Sequence, residues 1–126
     1  MAHILLAEDD GSMCKFLTLA LERAGHTVTA RNDGLQAMEA LENLEKTSDT
    51  PYDLLLTDIV MPGMDGVELA QQAKKKCPHM KIMFITGFAA VALDQKKSPD
   101  ENTKVLSKPF HLKDLVSQVE ALLNAA

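Results

Sequence analysis

Five short runs of apolar and β-branched residues recur along this chain, and a stretch with helical periodicity follows each of them. The runs are His3–Ala7, Thr27–Ala30, Asp53–Thr57, Lys81–Ile85 and Lys104–Leu106. Runs of this length read as buried strands. After the first, Met13, Phe16, Leu17, Ala20 and Leu21 share one helical face and Gly25 stops the helix. Asp33 with Gln36, and Asp65 with Glu68, read as caps opening the next two helices. Ala37, Met38, Leu41 and Leu44 face inward from the first of these, and Leu69, Ala70, Ala73 and Cys77 from the second, which Pro78 closes. A short helix is expected over Phe88–Leu93. The last carries Leu112, Leu115, Val116, Val119, Leu122 and Leu123 on one side.

Strict strand–helix alternation leaves few topologies. Parallel strands need right-handed crossovers, so helices cover both faces of the sheet. The expected fold is a doubly wound α/β domain, (βα)₅, with flavodoxin-like strand order 2-1-3-4-5. Glu45–Pro51 is polar and expected as an exposed loop, and Asp94–Thr103 is nearly free of apolar residues and holds Pro99, which confines the fourth helix. At 126 residues the chain reads as one domain spanning 1–126 with no output domain.

In such a sheet the carboxyl ends of strands 1, 3, 4 and 5 share one rim, where ligands bind. The first strand runs into Glu8-Asp9-Asp10. The third runs into Asp58, followed by the Pro62- and Gly63-containing turn. The fourth ends at Thr86, and the fifth runs into Lys108-Pro109. Glu8, Asp9 and Asp58 form an acidic cluster of oxygen donors only, which suits a hard cation such as Mg²⁺. Phosphoryl transfer needs a nucleophile, a metal and a few donors. Asp58 is a candidate nucleophile, Lys108 a point charge for phosphate oxygens and Thr86 a hydroxyl donor. Asp10 reads as the cap of the first helix rather than as a metal ligand.

Composition excludes other classes. A net charge of −5, from 13 basic and 18 acidic side chains, argues against a nucleic-acid partner. No run of apolar residues is long enough for a membrane span, and the start of the chain lacks signal-peptide character. Two cysteines, Cys14 and Cys77, fit a reducing, cytoplasmic setting. The four histidines are scattered without ligand spacing. A metal-dependent phosphatase of the aspartyl-phosphate kind would carry a second Asp two residues after its nucleophile, where this chain has Val60. The acidic turn after the first strand likewise disfavours a nucleotide or flavin loop.

Taken together and in order, Glu8-Asp9-Asp10, the run Thr57-Asp58-Ile59-Val60-Met61-Pro62-Gly63-Met64-Asp65-Gly66, Thr86-Gly87 and Lys108-Pro109-Phe110 resemble the receiver domains of bacterial two-component response regulators, the CheY-like family. The resemblance covers nearly the whole chain. It implies that Asp58 accepts a phosphoryl group from a histidine kinase or a histidine phosphotransfer protein. It implies Mg²⁺ held by Asp9 and Asp58, by Glu8 through water, and by the backbone carbonyl of Val60, with Thr86 and Lys108 on the phosphoryl group. It also implies a cis Lys108–Pro109 bond. The stretches Leu54–Pro62, Phe84–Leu93 and Val105–Leu112 look like CpdR-type single-domain regulators. That likeness implies an output through a Clp-type ATP-dependent protease, engaged by the unphosphorylated form, with the chain a monomer or weak dimer and not itself an enzyme. One position departs from the family. Val105 stands where most receivers have an inward-rotating Tyr or Phe, so the usual Thr–aromatic coupling cannot operate as written. A phosphorylation-independent adaptor on the same scaffold is the alternative. The ending Ala125-Ala126 reads either as a frayed helix terminus or as a tail of the kind Clp-type unfoldases grip.

Overall fold

A computed structural model describes residues 2–47, 52–86, 103–108 and 110–124, with the side chains of 44–47 and 86 outside that description. The strands are β1 (His3–Ala7), β2 (Thr27–Arg31), β3 (Leu54–Asp58), β4 (Lys81–Thr86) and β5 (Thr103–Ser107). Four helices lie among the described residues: α1 (Gly11–Arg23), α2 (Gly34–Thr47), α3 (Gly66–Lys76) and α4 (Leu112–Leu123). All strand pairings are parallel and the order is β2-β1-β3-β4-β5, as the alternation predicts.

The central strands read as unbroken apolar runs because both of their faces are covered. Leu5, Ala7 and Leu55 enter the layer beneath α2 and α3, with Leu41, Leu69, Ala73 and Phe84. Ile4, Leu6, Leu54 and Leu56 enter the opposite layer with Leu17 and Leu21 of α1 and Leu115, Val119 and Leu122 of α4. Successive residues of one strand therefore alternate between two cores, as the two-residue period of a strand requires.

The helix starts are set by carboxylate caps. Asp10 accepts from the N–H of Met13 at 3.0 Å, Asp33 from that of Gln36 at 2.8 Å and Asp65 from that of Glu68 at 2.8 Å. Each satisfies one of the N–H groups that a helix leaves unpaired at its start. Gly25, at φ 98°, takes the left-handed turn after α1 that a side chain would resist.

Three sequence expectations need correction. The segment from 45 to 47 is not loop: α2 continues through it to Thr47. Polar composition does not end a helix whose buried face, here Ala37, Ala40 and Leu41, has already anchored it. Phe16 is 58% exposed, and Cys14 takes its place in the core beside Leu17 and Leu21. The stripe facing the sheet is rotated by part of a turn from the one that apolarity alone suggests. Leu112 is likewise 37% exposed, at the first residue of α4. The helix expected over 88–93, the rest of the polar segment up to 102, the Lys108–Pro109 bond and the Ala125-Ala126 ending lie outside the described residues.

Candidate functional site

The parallel register determines what meets at the carboxyl rim. Glu8 follows β1 directly, and its N–H extends the ladder by donating to the Arg31 carbonyl at 3.1 Å. Asp58 is the last residue of β3, opposite Ile85 of β4. Lys108 follows β5, whose Ser107 lies opposite Thr86. Four of the residues expected in the site thus converge. One carboxylate oxygen from each of Glu8, Asp9 and Asp58 lies within 4.8 Å of the other two. The Lys108 ammonium donates to Asp58 Oδ2 at 2.9 Å and to Glu8 Oε1 at 3.5 Å. Thr86 closes β4 at this rim, and its side chain lies outside the described set. Val60 donates its N–H to Asp58 Oδ1 at 3.3 Å, and its side chain is exposed. Asp10 caps α1 and gives its own N–H to Glu8 Oε2 at 3.1 Å, so it orients an acid of the cluster.

Burial and charge act together here. Glu8 is 0% exposed and Asp58 7%, whereas Asp9 is open to solvent. Burial pushes the Glu8 carboxyl up to about 7, with the negative field of Asp58 adding to the rise; the Asp10 N–H and Lys108 work against it. Burial pulls the Lys108 ammonium down, but its hydrogen bond to Asp58 and the fields of Glu8 and Asp58 outweigh that and hold it above the usual lysine value. Lys108 therefore stays a cation and is the internal counter-charge of the pocket. Cys14 is buried, and its thiol is raised by burial and then by the field of Glu8, which makes it an unreactive core residue.

The donor set fits a divalent cation. Three carboxylates are gathered so closely that a single ammonium only partly compensates them, and every donor is a hard oxygen. Glu8, Asp9 and Asp58 would hold such an ion from the protein side, with solvent reaching the position through Asp9.

Two residues of the Thr57–Gly66 run that have no role of their own in the expected site shape this corner. A Cβ on Gly66 would run into the Asp58 carbonyl oxygen and crowd Ile59, while the Gly66 N–H donates to the Ile59 carbonyl at 2.7 Å. The start of α3 is thereby pressed onto the peptide that carries Asp58. Gly66→Ala is expected to lower stability by about 1–3 kcal/mol through overpacking against backbone that cannot yield. Urea unfolding checks this, and an unchanged midpoint would mean that the turn relaxes freely. The other residue is Thr57, whose buried hydroxyl donates to the Asp58 carbonyl at 2.8 Å.

Residues 4–120 match the family model described as the response regulator receiver domain. The chain belongs to the response regulator receiver family. This receiver is 55% identical over 126 residues to the response regulator receiver protein CpdR of Brucella abortus, covering 100% of both chains. It is also 34% identical over 122 residues to the sensor kinase CckA of the same organism, where it covers 97% of this chain and 12% of the kinase. The crystal structure of a response regulator receiver protein from Sinorhizobium medicae superposes with a TM-score of 0.85 at 34% identity, covering 98% of this chain and 95% of that one. Among the described residues, no helix is long and apolar enough to cross a membrane.

Proposed function

We propose that this receiver is a phospho-acceptor switch in which Asp58 takes the phosphoryl group and the resulting change in charge alters a protein–protein contact. The observation that carries this reading is the position of Lys108, whose ammonium bridges Asp58 and Glu8 at the mouth of a three-carboxylate cluster. Such a constellation is costly for a fold that does not use it.

Val60 N–H on one Asp58 oxygen and Lys108 on the other fix the rotamer of the nucleophile. A carboxylate oxygen of Asp58 attacks phosphorus. As the new O–P bond forms, the bond from phosphorus to the donor breaks and its electron pair leaves with the donor atom, a histidine nitrogen in a kinase or phosphotransfer protein. Lys108 is already within reach and follows the charge onto the incoming phosphoryl oxygens. Thr86, at the end of β4, is assigned the hydroxyl contact. Glu8, Asp9, Asp58 and the Val60 carbonyl would hold Mg²⁺, which would neutralise charge on the phosphoryl oxygens. The first turns of α1 continue from Asp9 and Asp10, and the exposed Phe16 and Leu19 there offer apolar contact to the donor protein.

Residues 1–126 are read as a receiver domain acting in the cytoplasm and carrying no turnover of its own beyond phosphoryl gain and loss. The full-length similarity to CpdR supports placing its output on a Clp-type protease, engaged by the unphosphorylated form. A second reading, a phosphorylation-independent adaptor, is favoured by one observation. Val105 of β5 packs partly buried against the core under α2 and α3, so no aromatic side chain stands there to relay the state of Asp58.

One experiment separates the two. The protein and Asp58→Ala are incubated with Mg²⁺ and a small acyl-phosphate donor, their intact masses are recorded, and each is then presented to a Clp-type unfoldase. A single phosphoryl adduct on the wild type alone, abolished by chelation and accompanied by loss of unfoldase binding, is expected. No adduct, with equal binding by both proteins, would establish the adaptor instead.

A further inference from the structure

Among the described residues, three polar or charged residues are buried as wholes: Glu8, Asp58 and Thr57. The acidic cluster accounts for the first two. Thr57 belongs to neither the cluster nor the cation. It is 0% exposed, and its neighbours across the sheet are Ala7 and Phe84. A valine would fill the same volume in this apolar layer without a hydroxyl to satisfy.

The hydroxyl has one proton and two acceptors nearby. The Asp58 carbonyl lies at 2.8 Å and Met61 Sδ at 3.9 Å. The carbonyl at 2.8 Å is the one in good hydrogen-bonding range. That carbonyl sits in the peptide joining Asp58 to Ile59, where strand becomes turn. Gly66 stands against the same carbonyl, so close that a Cβ there would collide with it. One residue further, the Ile59 carbonyl accepts the Gly66 N–H, and Val60 N–H returns to the Asp58 carboxylate. The peptide after Asp58 is therefore contacted by two elements, the Thr57 hydroxyl of β3 and the start of α3.

We infer that Thr57 is a positioning residue for the phospho-acceptor. Its hydroxyl locks the Asp58–Ile59 peptide, and through it both the aim of the Asp58 carboxylate and the placement of the Val60 backbone against that carboxylate. The effect on phosphorylation rests on the acceptor role proposed for Asp58; the effect on the backbone does not.

The test compares Thr57→Val with Thr57→Ser in the full chain. Valine keeps the volume and the β-branching, so the fold is retained, and serine keeps only the hydroxyl. The Val60 amide resonance, which reports the hydrogen bond to Asp58, is recorded without donor. It is expected to shift in Thr57→Val and to return toward the wild-type position in Thr57→Ser. With an acyl-phosphate donor and saturating Mg²⁺, the maximal rate of adduct formation is expected to fall about tenfold in Thr57→Val with little change in half-saturating donor concentration, because a misaimed nucleophile costs rate rather than binding. Serine restores it. An unmoved Val60 resonance in Thr57→Val, or a loss that tracks thermal stability equally in both variants, overturns the assignment. A wild type that forms no adduct defeats the acceptor reading, and the amide resonance still decides the role of Thr57.

Discussion

Lys108→Met is expected to weaken the metal-free protein by about 2–3 kcal/mol and to slow phosphoryl uptake by about a hundredfold. The two losses have different origins. In the absence of a cation, Lys108 is the positive group bonded to the cluster, at 2.9 Å from Asp58 and 3.5 Å from Glu8. Both acids are almost fully buried, so removing their partner leaves charge that water cannot reach. Breaking a buried pair in this way costs about 3–5 kcal/mol, and the figure falls here because the Lys108 side chain is 31% exposed and its pairing is already partly screened. Methionine keeps the length of the stem and removes the ammonium, with its charge and its hydrogen bonds to Asp58 and Glu8. A divalent cation relieves the same repulsion, so Mg²⁺ should return most of the lost stability while leaving uptake slow, since no ammonium remains to accompany the phosphoryl oxygens. Urea unfolding in chelator and in Mg²⁺, beside adduct formation by intact mass, reads both effects. A variant as stable as wild type in chelator would show that the bridge contributes nothing to the fold, and a wild-type rate would remove Lys108 from the chemistry.

The order of apolar runs was enough to foretell the sheet, because parallel strands buried on both faces leave a signature in composition as well as in period. Glu8, Asp9, Asp58 and Lys108 could be brought together from sequence for the same reason. Each stands at or just past the end of a strand, and strands 1, 3 and 5 deliver their ends to one rim whatever the side chains between them do. Besides the extent of α2, two kinds of feature escaped. One is rotational. Phe16 and Cys14 are two residues apart on α1 and so point to opposite sides of it; hydrophobicity favours Phe16 for the core, yet the helix turns the side carrying Cys14, Leu17 and Leu21 to the sheet. The other concerns backbone contacts. Nothing in the residue type of Thr57 reveals that its hydroxyl turns onto the next carbonyl, and Gly66 reads as an ordinary turn glycine until the Asp58 carbonyl is found against it. A buried threonine directly before a candidate nucleophile, where valine would serve the core equally well, was the available signal. The persistence of α2 to Thr47 was hidden for a third reason: its final turn is polar, and its anchoring residues lie a full turn earlier.

Asp9→Asn should not weaken the metal-free fold, because it relieves part of the cluster's repulsion, while removing nearly all that Mg²⁺ adds. Asp9 is the exposed member of the cluster, so neutralising it strips no buried group of its counter-charge and removes one of three crowded negative charges. Its carboxylate oxygen nevertheless lies within 4.8 Å of those of Glu8 and Asp58. If these three hold the ion, wild type should gain about 2.7 kcal/mol at Mg²⁺ a hundredfold above its dissociation constant, and the asparagine variant should gain little at the same concentration. Uptake from an acyl-phosphate donor should fall about a hundredfold in parallel, because a charge that helps bind the ion also sets how much of the phosphoryl charge is neutralised. The contrast with Lys108→Met is the informative part. That variant loses stability without metal and regains it with metal; Asp9→Asn does neither. A three-carboxylate cluster that served only to cap strand ends would give both variants the same response to Mg²⁺, and thermal unfolding with and without the ion, run on the two side by side, distinguishes an ion-binding pocket from a merely acidic one.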